Sequence, residues 1–133
     1  VYKPAIIVAT KCDIPGAYRR LKLLKAHLSD EIPVIPFSPV NKECGREIGR
    51  VLFNILDIIR IYTKQPNTDE PSRKPLVVRK GITVLEVAKI IHSAFYYRFK
   101  YARIWGPSAK YPGERVGGDH VLMDGDVVEI RIK

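Results

Sequence analysis

The sequence predicts an α/β unit followed by a small α+β unit of the β-grasp, ubiquitin-like kind, and three observations carry that reading. The first sixty residues alternate short β-branched apolar runs with amphipathic helical stretches, the pattern of a parallel βαβ arrangement. Near Ile59 the apolar period changes: Ile59, Ile61 and Thr63 alternate with Arg60, Tyr62 and Lys64, the spacing of a half-buried strand. From there the order is strand, strand, helix, strand, strand, which fits a β-grasp. The boundary falls at about residue 60, giving domains of 1–60 and 61–133.

Each element has its own signal. Ala5-Ile6-Ile7-Val8-Ala9 reads as a buried central strand. Pro15-Gly16 makes a turn, and Leu21, Leu24 and Leu28 then fall at i, i+3 and i+7 within a helix over 18–28 that also carries Arg19, Arg20, Lys22 and Lys25. Residues 33–37 form a second short strand ending at Ser38. A longer helix from about residue 46 puts Ile48, Val51, Leu52, Ile55, Leu56 and Ile59 on one stripe. Residues 65–75 are rich in Pro and charge and read as a surface loop. After a strand over 76–80 and Gly81, Thr83-Val84-Leu85-Glu86 has the form of a capping box. The helix it opens has Val84, Val87, Ala88, Ile91 and Phe95 as its buried stripe. A strand over 101–105, a long Gly/Pro loop over 106–118, an Asp124-Gly125 turn and a strand over 127–132 complete the chain. There is no internal repeat and no low-complexity segment.

Composition narrows the partners. Across 133 residues Lys plus Arg number 23 and Asp plus Glu 14, a net charge of +9. Such an excess favours acidic partners, nucleic acid first and an anionic membrane surface second. No run of about 18 apolar residues predicts a membrane span, and no signal-peptide pattern opens the sequence. The first residue is Val1 and the single methionine is Met123, which suggests an excised or processed piece. Cys12 and Cys44 are isolated thiols that fit a reducing, cytoplasmic setting and supply too few ligands for a metal.

The first chemical signal lies in Thr10-Lys11-Cys12-Asp13, which places Lys11 and Asp13 at the carboxyl edge of a strand, where open α/β sheets bind ligands. A carboxylate there can accept the two N–H donors of guanine's edge, and a lysine stem can lie along the base. The pattern looks like the Asn-Lys-x-Asp base-recognition motif of P-loop GTPases. A Gly-rich phosphate loop is absent, since the nearest match, between Gly113 and Gly118, is followed by Asp119-His120 rather than Lys-Ser. Asp13-Ile14-Pro15-Gly16 also matches an Asp-x-x-Gly phosphate-sensing loop, but chain order rejects it: too few strands follow before the architecture changes. His92 and His120 lack a surrounding ligand cluster and read as structural, and His27 reads as solvated on a basic helix.

Three stretches give the resemblance its specificity. They are Ile59-Arg60-Ile61-Tyr62-Thr63-Lys64, then Phe99-Lys100-Tyr101-Ala102-Arg103-Ile104-Trp105-Gly106, and finally Val116-Gly117-Gly118-Asp119-His120-Val121-Leu122 with Asp124-Gly125-Asp126-Val127-Val128. Across nearly its whole length the chain resembles the C-terminal part of a GTPase of the Obg-related, developmentally regulated GTP-binding (DRG) family. The resemblance implies an α/β end-fragment of a P-loop GTPase domain joined to a TGS domain. It also implies a GTP-hydrolysing parent protein that uses GTP/GDP with Mg2+ and works with RNA or the ribosome. No residue of this chain is a candidate catalyst, so the chain alone is expected to be inactive and to hold no nucleotide tightly. Carried over residue by residue, Asp13 would hold the guanine N1 and N2 donors and Lys11 would pack across the base. Ser38-Pro39-Val40 sits where the family has a Ser-Ala-x loop contacting guanine O6. Thr10 stands in place of the usual Asn, and Pro39 in place of Ala; proline has no N–H to give O6, which leaves that of Val40.

Charge supplies the second signal. Between residues 79 and 115 there are eight basic residues (Arg79, Lys80, Lys89, Arg98, Lys100, Arg103, Lys110, Arg115) against Glu86 and Glu114. Charge alone fits a solvated face as well as it fits RNA. Alternation puts Tyr101, Arg103 and Trp105 on one sheet face, a combination that suits unstacked RNA bases; Tyr111 is a further aromatic candidate. Arg79, Lys80, Arg98, Lys100, Arg103, Lys110 and Arg115 are therefore the expected RNA- or partner-binding set. The alternatives are a TGS domain that docks a regulatory protein, with no direct RNA role, and a small-ligand sensor.

Overall fold

The computed structural model describes residues 3–133. Two compact units divide the chain, one ending at Asp57 and the other spanning Ile58–Lys133. Asp57 has a φ of +49°, a left-handed conformation of the kind that ends helices.

The first unit runs β1 (Ile7–Ala9), α1 (Ala17–His27), β2 (Val34–Pro36) and α2 (Glu43–Ile55). β1 and β2 pair in parallel with Ile7 opposite Val34 and Ala9 opposite Pro36, as a βαβ unit requires. Val8 is 37% exposed, so β1 is not the buried central strand its composition suggests. The physical reason is the sheet itself: among the described residues it has two strands, so β1 has a partner on one side alone and is an edge strand rather than a central one. The same shortage leaves α2 with no fully buried residue. Its apolar stripe is half-buried at Ile48, Val51 and Ile55 and exposed at Leu52 and Leu56. Leu21 and Ile35 are the unit's buried apolar side chains. Ile59, expected to continue the α2 stripe, lies instead on the next strand, beyond the turn at Asp57.

The second unit is a β-grasp. Its elements are β3 (Ile58–Thr63), β4 (Leu76–Arg79), α3 (Val84–Ile91), α4 (Ser93–Tyr97), β5 (Phe99–Trp105), β6 (Glu114–Val116) and β7 (Val127–Ile132). They build a five-stranded sheet in the order β4-β3-β7-β5-β6. The central β3–β7 pair is parallel and the others are antiparallel. Alternation along β3 and β5 buries Ile59, Ile61, Ala102 and Ile104 against Val84 and Val87 of α3, with Leu122 and Val128 completing the core. α3 begins where the capping box predicts. The Thr83 hydroxyl accepts from the Glu86 N–H, and the Glu86 carboxylate accepts from the Thr83 N–H at 2.8 Å. The helix stops earlier than its apolar stripe suggests: His92 is extended (φ −166°), and its Nδ1 accepts from the Ala94 N–H at 3.0 Å to cap α4, so Phe95 belongs to a separate short helix. The long loop over 106–118 also holds β6, a three-residue edge strand whose pattern is too short to announce itself. Gly106 (φ +139°) is required where it stands, because a Cβ there would lie 2.6 Å from the Asp126 carboxylate. That fully buried carboxylate accepts from the N–H groups of Ser108 and Met123 and ties two loops together.

Candidate functional site

In the first unit, parallel pairing brings the carboxyl ends of β1 and β2 side by side, and the residues of interest follow directly. The Phe37 N–H donates to the Ala9 carbonyl at 2.7 Å and the Cys12 N–H to the Phe37 carbonyl at 3.1 Å. The chain turns at Lys11, whose φ is +58°, and this swings Asp13 towards β2. There the Ser38 hydroxyl donates to Asp13 Oδ1 at 2.8 Å and accepts from the Val40 N–H at 3.3 Å. Ser38 is buried while Asp13 is exposed, so a buried hydroxyl orients an accessible carboxylate. Asp13, Ser38 and Val40 line one open cleft, with Tyr18 and Asn41 on its walls. Thr10 and Lys11 line a neighbouring cleft on the α1 side. Pro39 lies between Ser38 and Val40 with no N–H to offer, and the Val40 N–H already has the Ser38 hydroxyl as acceptor. Asp13, Ser38 and Val40, predicted separately from sequence, are thus brought together, and Thr10 and Lys11 stand beside them.

In the second unit the predicted basic set does not form one patch. Arg79 and Lys80 line a groove beside β4. Arg98 donates through Nη2 to the Lys133 carbonyl, Lys100 sits at an irregularity in the β5–β7 register, and the Lys110 N–H donates to Glu114. Arg103 and Arg115 are direct cross-strand partners on the helix-free face. Sequence reasoning missed what completes that face. Glu129, opposite Arg103 on β7, is 3% exposed and pairs with Arg131 Nε at 2.6 Å and Lys64 Nζ at 3.9 Å. Lys64 Nζ lies 4.4 Å from the centre of the Trp105 ring, and the Arg115 guanidinium lies 4.1 Å from that of Tyr101, distances at which cations are attracted to ring faces. A row Lys64–Glu129–Arg103–Arg115 therefore crosses the face, with one acid already neutralised and cations to either side. Arg131 and Lys64 could have been found by extending the period-two pattern along β7 and past β3.

The histidines meet local partners. His27 is exposed and bonds through Nδ1 to the Leu23 carbonyl, and His120 Nε2 lies 3.0 Å from the Ser108 hydroxyl. Among the described residues no group of three or more His, Cys, Asp or Glu side chains could hold a metal. Among the described residues no helix is long and apolar enough to cross a membrane.

Comparison with known proteins gives a match to the TGS domain family model over residues 59–132. The whole chain is 37% identical to an uncharacterized GTP-binding protein of Methanocaldococcus jannaschii, covering 34% of that protein. Over 98% of its length it is 32% identical to the developmentally-regulated GTP-binding protein 1 homolog of Dictyostelium discoideum, again covering 34%. The chain thus spans about a third of the length of these relatives. Among solved structures, a GTP binding protein from Pyrococcus horikoshii OT3 matches 98% of this chain and 46% of its own with a TM-score of 0.71 at 23% identity. The YchF GTPase of Schizosaccharomyces pombe matches 97% of this chain and 43% of its own, also with a TM-score of 0.71, at 19% identity. These two structures speak to the fold alone.

Proposed function

Because this chain belongs to the TGS-domain family and is related along its length to developmentally regulated GTP-binding proteins, we propose that it supplies guanine-base recognition and an RNA-contacting TGS domain to a GTP-regulated protein. The fold supports the pairing of roles, since the first unit has the architecture that ends a P-loop GTPase domain and the second is the TGS β-grasp.

The observation that carries the guanine reading is the Asp13 carboxylate, oriented by the buried Ser38 hydroxyl at the carboxyl edge of two parallel strands. Guanine offers N1–H and N2–H as adjacent donors, and a fixed carboxylate accepts both. Lys11 provides an apolar stem beside it, and the loop at Ser38-Pro39-Val40 faces the O6 side. Phosphate and magnesium contacts fall to the remaining two-thirds of such proteins, and no residue here is assigned to them. GTP hydrolysis belongs to that larger assembly. The two free thiols, Cys12 and Cys44, fit a cytoplasmic setting.

The RNA reading rests on the helix-free sheet face, where Lys64, Arg103, Arg115 and Arg131 surround two aromatic rings and Glu129 is buried and paired. Phosphates meet the cations, and unstacked bases meet the rings.

Nucleotide competition tests the base site. In the polypeptide that joins this chain to its phosphate-binding portion, Asp13→Asn should shift preference from guanine towards xanthine nucleotides, because the amide offers a donor where the N2 amine needs an acceptor. Unchanged competition between GDP and xanthosine diphosphate would show that Asp13 does not read the base.

A further inference from the structure

The groove beside β4 has no part in either reading. β4 is an edge strand: it pairs with β3 on one side, and no strand lies on the other among the described residues. The free N–H and C=O groups of an edge are a template for another strand. The surface next to this edge is largely apolar, lined by Ile58, Val77, Val78, Ile82 and Ile90. Val77 is 56% exposed and Ile90 54%, so both are open to an added strand's side chains. Charge brackets the strand, with Arg73 and Lys74 before it, Arg79 at its last position and Lys80 just after it, all exposed. None of these four has an ion-pair partner among the described residues. The acid that lines the groove, Glu86, is held in the Thr83 capping box.

We infer that this edge takes an extended peptide from a partner protein, apolar at its centre and acidic at both ends, which adds to the sheet as a strand beside β4. Main-chain pairing gives the affinity of such an arrangement, and the side-chain pockets give its specificity. The competing occupants fit less well. Antiparallel pairing of β4 with a second copy of itself would bring Lys80 of one copy near Lys74 of the other at each end of the ladder, so like charges oppose it. A nucleic acid would find no aromatic ring among the groove's lining residues. Val77 lies on the helix-free side of β4 and Ile90 on α3, so the site wraps this edge of the sheet, and the proposal does not depend on RNA binding.

The test uses the full 133-residue chain, isotopically labelled, and a synthetic peptide with a Val-Ile-Val-Val centre and two Asp residues at each end. Titration should shift the amide signals of residues 76–80, Ile82 and Ile90, with saturation at micromolar peptide, and should slow exchange of the β4 amides that do not bond to β3. Val77→Glu and Ile90→Glu should each weaken binding at least tenfold, and Ile90→Glu, on α3, should do so without altering RNA affinity. Ile90 lies on the exposed side of α3, so its variant keeps the test sound if the strand variant misfolds. A peptide with Lys in place of Asp should lose most of the affinity. Absence of shifts up to millimolar peptide, equal binding of the Lys-flanked peptide, movement of the same amides by oligouridine, or concentration-dependent dimerisation through β4 would each overturn the proposal.

Discussion

At Asp13 one carboxylate oxygen accepts the Ser38 hydroxyl, which orients the exposed carboxyl group. Sequence gave good grounds for suspecting Asp13, because a charged residue ending an apolar strand is conspicuous. The bond from Ser38 was not legible: the family resemblance pointed to Ser38 as part of a loop at guanine O6, and its partner Asp13 lies 25 positions away, brought close by the parallel pairing. Glu129 was not legible at all: an acid in an alternating strand reads as solvent-facing until its neighbours cover it. A second residue-scale feature makes an acid-stability prediction. The Arg60 guanidinium donates to Asp124 at 2.9 Å and holds its carboxyl below the ordinary range, against the opposing effect of burial. A carboxyl depressed in the folded state stabilises above its unfolded value, about pH 3.9, and loses that contribution as pH falls through the lower folded value. Asp124→Asn should therefore lower the melting temperature at pH 7, and the gap between variant and parent should close as pH falls below about 4. A gap that is constant down to pH 2 would mean the ionised pair contributes nothing.

Among the elements, those with long periodic patterns matched expectation best. β7 was placed at its observed bounds, and the capping box marked the start of α3, because both signals are local. Elements whose limits depend on neighbours were harder. The α2 stripe ran on to Ile59 because a 3.6 period and a 2.0 period can share a residue at a junction, and the left-handed turn at Asp57 gave no sign in composition. β6 escaped because three residues hold too little alternation to exceed loop background. The capping box also allows a measured prediction. Thr83→Ala removes the acceptor for the Glu86 N–H and one partner of the Glu86 carboxylate, and loss of an N-cap costs about 1 kcal/mol. Urea unfolding followed by Trp105, the one tryptophan and a member of the second unit, should report that loss as a lower midpoint with unchanged slope. An unaltered midpoint would mean that α3 is held by core packing alone.

For the whole molecule, the +9 charge favours an anionic partner without marking any one surface. Folding disperses the predicted basic residues: Arg79 and Lys80 line the β4 groove, Arg103 and Arg115 lie on the helix-free face, the Arg98 side chain donates to the Lys133 carbonyl, Lys100 sits at the β5–β7 irregularity, and Lys110 lies in the loop before β6. It also recruits Lys64 and Arg131, which sequence spacing did not single out. The resulting account gives the helix-free face to RNA, with Arg103 and Arg115 as the cations whose removal least disturbs the buried Glu129, which keeps Lys64 and Arg131. The most direct test is the salt dependence of single-stranded RNA binding by the full chain and by the Arg103→Gln, Arg115→Gln double variant. Each phosphate contact contributes about 0.7 to the slope of log affinity against log salt for single strands. The double variant should bind more weakly on several unrelated sequences, with a slope flatter by about 1.4, while its circular dichroism matches the parent. An equal slope and equal affinity in a folded double variant would contradict the account and leave this face without a role in RNA binding.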